Sequence, residues 1–392
     1  MNALRKILGI MILLLFSLGA RAQGFDDTID RMADGFVEAY IAVAEPGDYL
    51  YSTFGHAAYH LKCPTFDLDY YYTMESEGIK DNTLRFLAGN LKMGLFYLPA
   101  EDFTKTYAEE SRGIKEWKLN LTPSQKQRLW ALLDKHVKEW QDIPYDYYHR
   151  GCAITMVDVM NELIGRENII YSESWPANLH GTVRETGYYA LQGQNEWAQF
   201  WMCIMVGDEI DQKLPNERLL YVPYDLVEAW QKATVHGQPL LDSKTLETLP
   251  SGERKKITCL TPLALSTILL ALALLSLGML FVNTQWARCC SAIVDYIILC
   301  VVTLIGIFMT YLLFVSKLPC TDWNWLYIAF NPLPAFFWYW RKYWAFPYAV
   351  LMLGWVIAMI CAPYLLALWS HMLIICAFVV ILLKNFINNK KI

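Results

Sequence analysis

The chain has 392 residues, 55% hydrophobic and 15% aromatic, with only 18% charged and a formal net charge of −5. That is too apolar for one water-soluble domain, and the excess is concentrated at the two ends. The acidic balance, with no basic stripe interleaved with aromatics, argues against nucleic acid as a partner.

In chain order, Met1–Ala22 reads as a secretory signal. Arg5 and Lys6 form its basic start, Ile7–Leu18 its apolar run, and Ala20-Arg21-Ala22 a small-residue cleavage site. No cysteine follows that site, so the signal is not that of a lipoprotein. Asp26–Ala44 is expected to form an amphipathic helix. Tyr49–Leu61 and Phe66–Met74 are β-like and rich in Tyr and Phe, Leu84–Leu98 suggests further strands or a loop wall, and Ile114–Leu121 alternates as a strand. Thr122, Pro123 and Gln125 spell a capping box opening a helix that runs to about Trp140. Cys152–Ile164 is apolar at helical spacing and closed by Gly165. Asn195–Met205 and Pro223–Lys232 are two more helices.

These elements predict an α+β exported domain over residues 23–233. A polar linker over 234–258 and an α-helical transmembrane bundle of about five spans over 259–388 follow. The spans are Thr261–Val282, Ala292–Val315, Ala345–Trp369 and His371–Phe386, with Trp325–Trp340 as a broken or partly re-entrant fifth, interrupted by Pro332 and Pro334. Five spans place Arg288, Arg341, Lys342, Lys384, Lys390 and Lys391 inside, against Lys317 and Arg254-Lys255-Lys256 outside. The ten cysteines show no metal-ligand spacing. Cys63, Cys203 or Cys259 is a candidate for a disulfide in an oxidising compartment, with buried free thiols the alternative.

The chemistry centres on Cys152, where the aromatic run Tyr145–Tyr148 gives way to a helix. A helix N-terminus favours a thiolate through its dipole and unpaired N–H groups. An imidazole beside it completes the ionisation, and His56 on an upstream strand is the candidate. Gly55 and Gly151 precede the two residues and leave room for a substrate. His60, four residues on, shares the face of His56. Asp67 and Asp69 on the next strand are candidates to orient the imidazole, and Ser52 and the Cys152 N–H to donate to an oxyanion. His149 and His136 are expected in solvated positions. Each of these residues also has a structural reading: Cys is commonly a core residue, and His often serves a backbone carbonyl.

The His-before-Cys order resembles circularly permuted papain-like (NlpC/P60-type) enzymes. More closely, Ser52-Thr53-Phe54-Gly55-His56, Leu119-Asn120-Leu121-Thr122, Tyr145-Asp146-Tyr147 and Cys152-Ala153-Ile154-Thr155 resemble the Lnb N-terminal periplasmic domain family. Tyr221–Leu226 and the Asn324–Pro334 stretch are similar to it as well. That family usually has Asn where Gly151 stands, and Asn-Tyr-Gly where Tyr71-Tyr72-Thr73 stands. The resemblance implies a bacterial inner-membrane lipoprotein N-acyltransferase. Its partners would be a phospholipid acyl donor and a diacylated lipoprotein acceptor, with Cys152 and His56 as the dyad and no cofactor. The alternatives are a membrane-tethered cysteine amidohydrolase or peptidase of the cell envelope, or a non-catalytic envelope scaffold.

Overall fold

The computed structural model describes residues 29–253, 260–361 and 368–390. The expected signal Met1–Ala22, the Arg254-Lys255-Lys256 cluster, Cys259, Pro363 and Lys391 lie outside the described residues.

The first half runs β1 (Glu38–Ala44), β2 (His56–Cys63), β3 (Leu68–Ser76), α1 (Thr83–Leu87), β4 (Lys92–Pro99), α2 (Ala100–Glu109), β5 (Ile114–Leu119), α3 (Pro123–Glu139), β6 (Ile143–Pro144) and α4 (Cys152–Ile164). It continues with β7 (Ile169–Ile170), α5 (Val183–Leu191), α6 (Glu196–Met205), α7 (Pro223–Gln231), β8 (Thr234–Val235), β9 (Gln238–Pro239) and β10 (Leu241–Leu249). The main sheet has the order β10-β5-β1-β2-β3-β4-β6, all neighbours antiparallel. A small second sheet pairs β7, β8 and β9.

Two expectations are corrected here. Residues 38–44, expected in a helix, form β1 near the middle of the sheet, because strands flank it and side chains cover both faces. A strand buried on both faces is apolar at every position, so its period of two disappears from the sequence. The segment expected as a linker supplies β8, β9 and the long β10, which pairs with β5. Its polarity is that of a largely exposed edge strand.

Helices α3 and α4 cover one face of the sheet through Leu129, Leu133, Met156 and Met160, packed on Ile41, Tyr59 and Leu61. On the other face Ala42, Ala44 and Ala58 make room for Phe103 and Tyr107 of α2. The capping box of α3 is present: Thr122 Oγ1 accepts from Gln125 N (3.3 Å) and Gln125 Oε1 from Thr122 N (2.9 Å). Tyr59, fully buried on β2, donates its hydroxyl to Met156 O of α4 at 2.6 Å, which fixes the helix on the strand that carries His56.

The second half contains α8 (Pro262–Gly278), α9 (Gln285–Phe314), α10 (Leu333–Phe336), α11 (Arg341–Cys361) and α12 (Trp369–Lys390). Among the described residues four helices are long and apolar enough to cross a bilayer, within Pro262–Phe281, Gln285–Phe314, Trp338–Cys361 and Trp369–Asn388. The directions of these helices show what happens between α9 and α11. Helices α8 and α12 both start beside α6, where Trp197 Nε1 donates to Leu260 O (3.0 Å) and the His371 ring stacks on Phe200 (4.2 Å). Both end at a polar cluster in which Lys384 Nζ reaches Ser276 Oγ at 2.6 Å. Helix α9 returns toward α6, and α11 starts at the far end, where Arg341 Nε donates to Asn385 Oδ1 (2.8 Å). Residues 324–341 therefore traverse the bundle as a fifth crossing, broken into short turns around α10. The break lies against Gly306 of α9, where a side chain would come within 2.6 Å of the Asn331 carbonyl carbon. Only glycine permits that close approach of two backbones.

Candidate active site

His56 opens β2 immediately after Gly55, whose φ of +88° is a left-handed conformation. A Cβ at Gly55 would lie 2.7 Å from Ala44 O. The glycine is thus a requirement of the turn that delivers His56 to the sheet end. Cys152 is the first residue of α4, with Gly151 at the N-cap and no side chain capping the first-turn N–H groups.

The two residues meet. The Cys152 thiol is hydrogen-bonded to His56 and to the backbone N–H of Ala57. Burial works against charge on the sulfur, but the His56 imidazolium and these two bonds outweigh it and hold the thiol below its ordinary range. On His56 burial likewise opposes charge, while the Cys152 thiolate and then Glu75 raise its pKa. The pair therefore favours thiolate and imidazolium together.

The far side of the imidazole is held by two residues not expected from the sequence. His56 Nε2 lies 2.5 Å from Thr73 Oγ1 and 3.1 Å from Glu75 Oε1. Thr73 donates its own proton to Ala57 O (2.9 Å), so its oxygen is an acceptor toward the ring. Both neighbours accept from Nε2–H, which leaves Nδ1 as the ring nitrogen available to the sulfur. Continuing the β2–β3 register from Tyr59↔Tyr72 places Glu75 directly across from His56. The alternation of β3 was visible in the sequence, but the pairing offset was not.

The remaining candidates lie elsewhere. His60 is buried on the same face of β2 but belongs to a separate network. Its Nε2 meets Asp69 Oδ1 (2.5 Å), its Nδ1 meets Glu116 Oε1 (2.9 Å), and Tyr71 donates to Glu116. Asp69, expected to orient His56, is instead the partner of His60, because it faces Lys62 two residues past the His60–Tyr71 pair. Asp67 occupies a left-handed turn position between β2 and β3. Ser52 is buried in a 3-10 turn and donates to Tyr49 O at 3.1 Å, which commits its proton inside that turn. His149 is exposed and bonded to Asp146. His136, expected in solvent, is buried between Glu162 Oε2 (2.8 Å) and the Trp140 ring (3.7 Å). Cys63 is a buried free thiol, and Cys203 is buried and in no disulfide.

The loop before Cys152 is part of the junction with the membrane helices. Tyr145 and Tyr147 pack with Leu312 and Leu318 at the end of α9, and Tyr147 donates to Pro319 O at 2.7 Å. Asn324 Nδ2 faces the carbonyls of Cys203, Ile204 and Val206 at 3.0, 2.9 and 2.8 Å, closing the C-terminus of α6. Ser316 Oγ and Lys317 N donate to Leu87 O (2.5 Å) and Ala88 O (3.1 Å) after α1.

An α+β domain with a paired thiol and imidazole, seated on a bundle of membrane helices, defines a membrane-bound cysteine-dependent transferase. Two family models match: the Lnb N-terminal periplasmic domain over residues 33–184 and the Lnb transmembrane domain over residues 253–391. No curated protein and no solved structure matches the chain. The chain belongs to the Lnb family of lipoprotein N-acyltransferases, which move acyl groups to lipoprotein N-termini. It is an inner-membrane, multi-pass protein with its N-terminal domain in the periplasm, and its partners are a phospholipid donor and a lipoprotein acceptor.

Proposed function

We propose that Cys152 carries the acyl chain as a thioester between the two lipid substrates, with His56 moving the protons and with Glu75 and Thr73 holding its tautomer. The observation that carries this reading is the Cys152–His56 pair, its thiol depressed and its imidazole raised, on a loop packed against the membrane helices.

In the first half-reaction the Cys152 thiolate attacks the ester carbonyl of a phospholipid. The uncapped first-turn N–H groups of α4, including that of Cys152, face the developing oxyanion. Collapse breaks the ester C–O bond, and His56 gives its proton to the departing lysophospholipid oxygen. In the second half-reaction the free α-amine of an S-diacylglyceryl-cysteine attacks the thioester. His56 accepts the amine proton, the C–S bond breaks, and the thiolate–imidazolium pair is restored. The membrane bundle keeps both lipids near the thiol, which replaces a bimolecular search by proximity.

The test is intact-mass measurement of the full chain with phospholipid and no acceptor. An adduct of one acyl chain on wild type, labile to hydroxylamine and lost in both Cys152→Ser and His56→Ala, is the expected result. Adding a diacylated lipopeptide should discharge it into an N-acyl product. Release of free fatty acid in place of that product would overturn the transferase step in favour of a hydrolase.

A further inference from the structure

Away from Cys152, a cavity of about 70 Å³ lies between the turn that precedes β2 and the helices α5 and α7, with Thr53, Phe54, Ala190, Gln194 and Asp225 in its wall. Asp225, the third residue of α7, is only 4% exposed. Its Oδ1 accepts from Asn178 Nδ2 at 3.0 Å, whereas its Oδ2 is buried with no hydrogen-bond partner. Among the described residues no ion pair engages this carboxylate. Burial, and secondarily Glu228, push its pKa up to about 6 against the Asn178 bond. An unmatched carboxylate oxygen in a buried site costs free energy that a cationic donor recovers.

We infer that this cavity is a subsite for a primary ammonium group, with the Asp225 carboxylate in its wall as the counter-charge. The volume exceeds what a single water needs and admits an ammonium with its attached carbon. An anion is disfavoured by the carboxylate, and a wall with a single carboxylate is too poor in charge for a hard metal cation. Gln194 is exposed at the rim and gives the site an outer face. Phe54 is two residues from His56, which bounds their backbone separation at roughly 7 Å. The inference rests on the acyl-transfer reading, which brings a primary ammonium from two sources: the acceptor's α-amine before deprotonation, or an ethanolamine headgroup on the donor. In either role Asp225 is a positioning residue that fixes which substrate is accepted.

The test is a pair of charge-deletion cycles on the full chain in detergent or vesicles, with wild type and Asp225→Asn compared. One arm measures direct binding of an S-diacylglyceryl-cysteinyl peptide against its des-amino analogue. The other compares acyl-enzyme formation from phosphatidylethanolamine and from phosphatidylglycerol. Wild type should favour the ammonium-bearing partner at least tenfold in one arm, and D225N should reduce that ratio to about one. The arm that collapses identifies the source. Ala190→Leu, which fills the cavity from its α5 wall and leaves Asp225 in place, should collapse the same ratio. It also stands in for D225N if the latter loses its thermal transition. Ratios that survive both substitutions, or a wild type that discriminates in neither arm, would overturn the subsite and leave the cavity to water. The peptide arm reads affinity and needs no thioester, so its result is separable from failure of the acyl-enzyme reading.

Discussion

The pairing of Cys152 with His56 makes a prediction with a definite sign. Burial alone would raise the thiol, and the imidazolium reverses that, so the sulfur of the wild type ionises below the midpoint of a free cysteine. Alkylation of Cys152 by iodoacetamide should therefore proceed well below that midpoint. In His56→Ala the burial penalty remains and the opposing charge is gone, so the alkylation midpoint should move above that of free cysteine. An unchanged midpoint would remove His56 as the source of the activation. Glu75 acts one step back. Glu75→Gln keeps an acceptor oxygen near Nε2 but deletes the charge that helps raise His56. Acyl-enzyme formation should fall about 10–100-fold, the range of a second-layer hydrogen-bond partner of a functional histidine. The high-pH limb of its profile should shift down, because a less stabilised imidazolium loses its proton earlier.

At the scale of elements, the site depends on how β2 begins and on what clamps α4 to it. Gly55→Ala forces a Cβ to 2.7 Å from Ala44 O at a φ of +88°. The expected cost is about 1–3 kcal/mol, seen as a lower denaturant midpoint, with a larger loss of activity because His56 is the next residue. Tyr59→Phe deletes the hydroxyl bond to Met156 O and should cost about 1 kcal/mol. Its effect on acylation should exceed that of an equally destabilising change in α3, since the bond sets the distance between the two reacting side chains.

Over the whole molecule, two polar clusters decide how the parts are joined. Asn324 faces three carbonyls at the end of α6; Arg184 also reaches that of Val206, so Asn324→Ala leaves those of Cys203 and Ile204 without this donor. That variant should retain normal Cys152 alkylation by a soluble reagent while losing turnover on phospholipid, because the dyad stays intact and its seating on the membrane segment does not. At the far end, Lys384 pairs with Asp295 and with the hydroxyls of Ser276 (2.6 Å) and Ser291 (2.7 Å), linking α8, α9 and α12. Lys384→Met should destabilise the bundle by about 3–5 kcal/mol, the cost of a buried charge left alone. Adding Asp295→Leu should recover most of it, which thermal unfolding in detergent would read.

Much of this protein was written locally. The capping box at Thr122, the helix from Cys152 closed by Gly165, and the long apolar runs each depend on a few neighbouring residues, and so they were legible in order along the chain. His56 and Cys152 were legible as candidates for the same reason, one beside a glycine turn and one at a helix start. What the chain could not report was strand register and burial from both sides. Asp69 and Glu75 are both acidic residues of β3, and only the hairpin offset assigns one to His60 and the other to His56. The central strand β1 hid its period because both of its faces are covered, and β10 looked like a linker because it is a largely exposed edge strand. Pairing and burial are properties of residues far apart in sequence, which is why the tertiary structure alone decided them.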